Sequence, residues 1–102
     1  MKTIDSLNLS ILLWAKEKGL LMSDSHRQLT KTTEELGEVA SAIARGDKEL
    51  LQDGIGDVYV CLTILASQNG LNMRECVEQA YNEIKDRKGK MKNGIFVKQQ
   101  DL

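Results

Sequence analysis

Residues 31–60, KTTEELGEVASAIARGDKELLQDGIGDVYV, decide the fold. Leu36, Val39, Ala40 and Ile43 recur at three- and four-residue steps, the spacing of one helix face. Leu29 extends that face backwards. Gly46 and Asp47 interrupt it, and a second apolar stretch follows. A glycine at that point suits the left-handed residue that ends a helix. The segment therefore predicts two helices joined by a tight turn and packed antiparallel.

The rest of the chain follows the same grammar. The 102 residues contain no proline and eight glycines, so glycine is the main punctuation. Gly19, Gly46, Gly70 and Gly89 each close a helically spaced stretch. Four helices result, over about residues 4–18, 24–45, 48–69 and 73–88. The first carries Leu7, Ile11, Leu12 and Ala15 on one face, with Trp14 beside it. The fourth carries Met73, Val77, Ala80, Tyr81 and Ile84. Trp14 and Tyr81 read as core residues. Asn72 and Glu75 have capping-box spacing. Asn93-Gly94 marks a turn in the tail 93–102, and Ile95, Phe96 and Val97 are expected to pack back onto the bundle. Residues 1–102 thus read as one all-α domain, a compact four-helix array.

Composition narrows the function classes. Fourteen basic and 15 acidic side chains give a net charge of −1. That balance provides no overall field for nucleic acid, so none is expected as a partner. No stretch of about 20 consecutive apolar residues is present, so no membrane span is expected. The first residues, MKTIDSLNLS, lack a signal-peptide pattern, and a cytoplasmic location follows. Cys61 and Cys76 read as free thiols in the core.

The third helix is apolar all round from Val58 to Ala66, VYVCLTILA. Such a helix is normally covered on every side. Three helices of this size are too few to cover it, so a homo-oligomer, a dimer or higher, is expected.

Acidic residues gather on the two central helices. Glu35 and Glu38 are three apart and share a face. Glu34 points further outward. On the third helix Asp57 is surrounded by Gly54, Val60, Cys61 and Ile64, where an ionised carboxylate is costly unless paired or metal-bound. In an antiparallel pair turning near Gly46, Glu38 lies level with about residue 55 and Glu35 with about residue 58. Carboxylates converging at one height repel, and a divalent cation would resolve this. Oxygen donors without His or Cys favour Mg²⁺ or Mn²⁺ over zinc. The alternative is a solvated acidic face, with Asp57 paired to Lys31 or Arg45.

The same segment resembles the MazG-type, all-α nucleoside triphosphate pyrophosphohydrolases. Their signature is EExxE on one helix and ExxD on the next. Glu34-Glu35-Leu36-Gly37-Glu38 matches the first half, and Asp57 matches the last aspartate. The likeness extends into NEIKDRKGKMKNGIFVK, residues 82–98. It implies Mg²⁺-dependent hydrolysis of a nucleoside triphosphate to monophosphate and pyrophosphate. Glu35, Glu38 and Asp57 would hold the metal, and Glu34 or Glu35 would orient or deprotonate water. Lys31, Asn82, Lys85 and Arg87 would meet the substrate. One position departs: Gly54 stands where the signature has glutamate. Asp53 is the adjacent substitute ligand. Without it, the chain would be a catalytically impaired nucleotide- or partner-binding relative.

Overall fold

The computed structural model describes residues 2–102. Four helices, α1 (Ile4–Glu17), α2 (Ser25–Arg45), α3 (Lys48–Gln68) and α4 (Met73–Ile84), precede a hairpin of β1 (Gly89–Lys92) and β2 (Ile95–Lys98). Short 3₁₀ turns occupy Leu20–Met22 and Gln99–Asp101. The all-α, four-helix class expected from the sequence is met.

Caps fix the helix ends. Asp24, Asp47 and Asn72 accept from the backbone N–H groups of His26, Leu50 and Glu75 at 3.0, 3.0 and 2.9 Å. Gly46 takes φ 67°, and its N–H reaches back to the last turn of α2. That tight turn lays α2 antiparallel on α3. The expected register holds, because Gly54 meets Val39.

α3 is the central helix. α1 crosses its other side, where Tyr59 and Thr63 hydroxyls donate to Asn8 Oδ1 at 2.8 and 3.2 Å. Gln68 Nε2 ties the end of α3 to the Leu20 carbonyl at 2.9 Å. Among the described residues α3 alone is long and apolar enough to cross a membrane, but it packs between α1 and α2 as a core helix does.

Several expectations are corrected. The face of α2 that meets α3 is Gln28, Thr32, Glu35 and Ala42, all buried. The apolar stripe Leu29, Leu36 and Ile43 is 53, 57 and 64 % exposed. Both stripes have helical period, and the inward one is the one whose Val39 sits against Gly54, where the missing side chain lets the helices approach. No residue of α4 is buried, and Cys76 and Tyr81 lie open with it. Trp14 is also half-exposed rather than core. α4 ends at Ile84, since no apolar residue occurs at helical spacing before Met91.

Gly89 is not a helix cap. It begins β1, which pairs with β2 in the register Gly89 with Lys98 through Lys92 with Ile95. Asn93 (φ 51°) and Gly94 (φ 80°) form the two-residue turn that matches strand twist. Ile95 and Phe96 stay exposed, so the tail does not pack back. The radius of gyration is 16.3 Å, against about 13 Å for a compact chain of this length. α4 and the hairpin project from the α1–α2–α3 body.

Candidate functional site

The α2–α3 pairing puts Glu35 on the buried side of α2, facing α3. One turn earlier, Lys31 Nζ lies 2.9 Å from Glu35 Oε1. The ammonium hydrogen bond holds the Glu35 carboxyl below the usual carboxylate range, and Glu35 raises Lys31 in return. The other oxygen, Oε2, is buried and accepts from no protein donor. A buried carboxylate oxygen without a partner is costly. A proton on the neighbouring Glu38, a cation or an ordered water would satisfy it.

Glu38 lies one turn further along α2. The charge of Glu35 and the hydrogen bond between the two carboxyls push Glu38 above the usual range. Asp57 approaches from α3 and is half-buried. Burial raises it first, then the charges of Asp53 and Glu35. No lysine or arginine stands within ion-pair distance of Asp57 among the described residues. The ion pair considered from sequence, with Lys31 or Arg45, is therefore absent: Lys31 is committed to Glu35.

The site thus unites Lys31, Glu35, Glu38 and Asp57, with Asp53 beside Asp57. Glu34 is exposed on the outer face. Asn82, Lys85 and Arg87 are exposed and make no contact with the cluster. Among the described residues no three acidic, histidine or cysteine side chains stand close enough to share an ion as they are placed. The donor set nevertheless fits a hard divalent cation. All its atoms are carboxylate oxygens, and one is buried without a protein partner.

Gly54 explains the departure from the signature. Its α-carbon faces α2, and an added Cβ would lie 3.1 Å from Val39 Cγ2 and 3.7 Å from Val39 Cα. A glutamate there would start inside the helix contact. Asp53 instead turns to the α1 side of α3.

There it borders an open groove of about 710 Å³ whose lining includes Ile4, Leu7, Ile11, Tyr59 and Val60 and the acidic Glu49, Asp53 and Asp57. The sequence reading missed this groove, because its walls come from two helices 50 residues apart. It also missed Gln28, whose Nε2 donates to the Cys61 carbonyl at 3.2 Å and braces the buried face that carries Glu35. The signal was present in the 28-32-35-39-42 spacing, a polar stripe beside the apolar one. Cys61 itself is buried, and burial raises its thiol.

Fold and site together define an all-α domain in which an antiparallel helix pair presents carboxylates from both partners. Residues 24–91 match the profile of the MazG nucleotide pyrophosphohydrolase domain. The chain belongs to that family. It is also 34 % identical over 73 residues to a Haemophilus phage HP1 (strain HP1c1) protein described as "Uncharacterized 18.2 kDa protein in rep-hol intergenic region". The match covers 71 % of this chain and 45 % of that protein, so the chain spans less than half its relative's length. No solved structure matches.

Proposed function

We propose that this domain is a divalent-metal-dependent nucleoside triphosphate pyrophosphohydrolase, converting triphosphate and water to monophosphate and pyrophosphate. The observation that carries this is Glu35. It is buried, held ionised by Lys31, and keeps one oxygen free beside two carboxyls that need positive charge. Glu35, Glu38 and Asp57 would hold Mg²⁺ or Mn²⁺, with Asp53, one turn before Asp57 on α3, as the further candidate ligand. When bound, such an ion neutralises phosphate oxygens and lowers the cost of the developing charge.

The protein's own groups would do the rest. The apolar groove against Ile4, Leu7, Ile11 and Val60 would take the nucleoside, with the phosphates toward Asp53 and Asp57, which share its lining. Glu34 or Glu35 would orient the attacking water or accept its proton. Water oxygen bonds to phosphorus as the α,β-anhydride bond breaks, and pyrophosphate carries away the bond's electron pair. The exposed apolar stripes of α2 and α4 support a homo-oligomer, dimer or tetramer. With such a substrate, the expected location is the cytoplasm.

Pyrophosphate release from a panel of nucleotides with Mg²⁺ or Mn²⁺ tests the proposal. Release that Glu38→Ala abolishes is expected, and folded protein that releases none from any nucleotide would defeat it. Gly54 favours a second proposal, a relative that binds nucleotide without turnover. Calorimetry showing nucleotide binding alongside zero release would select it.

A further inference from the structure

The charge of this chain is divided along its length. Residues 1–84 carry 13 acidic and eight basic side chains, a net of −5. Residues 85–98 carry one acidic and six basic side chains: Lys85, Arg87, Lys88, Lys90, Lys92 and Lys98, a net of +5. The near-zero sum that argues against a nucleic-acid partner averages two unlike parts. None of these six cations makes an ion pair among the described residues. The hairpin projects from the body, and its strands make no extended contact with any helix.

Strand register sorts these lysines. Lys90 pairs with Val97 and Lys92 with Ile95, and the Gln99 N–H donates to the Lys88 carbonyl at 2.9 Å, which carries the register one pair further. Opposed residues share a face of the ribbon, and so do alternate residues of one strand. One face therefore presents Lys88, Lys90 and Lys92 in a row, with Gln99, Val97 and Ile95 beside it. Successive lysines stand about 7 Å apart, and the row runs about 14 Å. Residues 88–99 contain no acidic side chain to neutralise it. All three lysines are exposed, and Ile95 is 68 % exposed. Because α4 ends at Ile84, Lys90 and Lys92 do not belong to its last turn and do not serve its dipole.

We infer that this face of the hairpin binds single-stranded nucleic acid, with backbone phosphates on the Lys88–Lys90–Lys92 row. A line of evenly spaced cations matches a polymer of phosphates rather than one triphosphate. The Ile95–Val97 row, about 4.8 Å away across the ribbon, offers apolar surface to unpaired bases, which a duplex keeps inside. Both outer edges of a two-stranded ribbon carry unpaired backbone groups, which opposes insertion into a lipid bilayer. Contacts to phosphates carry no sequence information, so the binding is electrostatic and salt-dependent.

Fluorescence anisotropy of a labelled oligothymidylate of about 20 nucleotides, titrated with the full chain in EDTA, tests this. EDTA removes any divalent ion from the carboxylate cluster, so the hydrolase reading does not enter the result. Saturable binding at about 20 mM salt is expected, with log K falling against log salt at a slope of about −2, the value for three contacts to a single strand. Lys88→Gln with Lys90→Gln and Lys92→Gln should weaken binding at least tenfold and flatten the slope. The same three positions changed to Arg should bind as the wild type does. Lys16→Gln with Lys18→Gln, on α1, should leave binding unchanged. No binding, or binding that the triple Gln variant retains with its helix signal intact, would overturn the proposal. So would a duplex of equal length bound more tightly than the single strand, or phosphatidylserine vesicles bound by a chain that leaves the oligonucleotide free.

Discussion

Gly54 and Val39 meet across the α2–α3 pair, with Val39 Cγ2 3.1 Å from where a Gly54 Cβ would stand. Val39 is β-branched and stiff at χ1, so it gives little. The helix-propensity gain of an added methyl is therefore outweighed by overpacking. Gly54→Ala should lose about 1 kcal/mol of stability. Gly37 lies in α2 with open space where its Cβ would be. Gly37→Ala should gain about 0.5–1 kcal/mol. Urea unfolding of the two variants should bracket the wild type. Gly54→Glu should be worse than Gly54→Ala and should create no new activity.

Asp57 bears an unfavourable charge in the metal-free protein, raised by burial and by Asp53 and Glu35. Asp57→Asn removes that charge and keeps the shape. It should stabilise the metal-free protein by about 0.5–2 kcal/mol, the range typical of relieving a functional site. It should also abolish turnover. Thermal melting paired with pyrophosphate release checks both. A lower melting temperature would show that Asp57 has a structural partner.

The pKa directions set a pH profile. Glu38 and Asp57 are raised, so the folded chain holds protons that the unfolded chain has released. Their contribution is present below the ordinary carboxylate range and is lost as pH rises through the raised values. Glu35 is lowered, so its contribution is lost as pH falls through its depressed value. Metal-free stability from this cluster should peak in mildly acidic solution and decline toward neutrality. Added Mn²⁺ needs ionised carboxylates, so its stabilising effect should grow across the same rise. Melting temperatures from pH 4.5 to 8, with and without Mn²⁺, test this. An Mn²⁺ effect that is flat with pH would count against it.

Gly89 sits beneath β2. A Cβ there would strike the Val97 carbonyl oxygen and lie 2.6 Å from Phe96 Cζ. Gly89→Ala should unpair the hairpin while leaving the helices intact. Amide exchange at Lys90 and Lys92 should accelerate at least tenfold, with far-ultraviolet helix signal unchanged.

Much of this was legible in the residues. Gly46 and Asp47 set the α2–α3 turn, and counting outward from it set Glu38 level with about residue 55, the register in which Gly54 meets Val39. That register sets Glu35 and Glu38 of α2 and Asp57 of α3 at similar heights, but as placed no three of the carboxylates stand close enough to share an ion. Which stripe of α2 faces inward did not follow, because Leu29-Leu36-Ile43 and Gln28-Thr32-Glu35 share one period. Hydrophobicity favoured the first, whereas backbone approach at Gly54 selected the second. The end of α4 was also misjudged. Lys85–Lys90 carries no helix-breaking proline, but it has nothing apolar to hold another turn, and the Asn93-Gly94 turn draws it into a hairpin instead.

The central claim is that carboxylates from α2 and α3 share one divalent ion. Calorimetric titration of Mn²⁺ into metal-free wild-type, Glu38→Ala and Asp57→Asn proteins addresses it most directly. Saturable binding to the wild type that weakens at least tenfold in both variants is the predicted result. Binding of equal strength in all three, or none to the wild type, would contradict it.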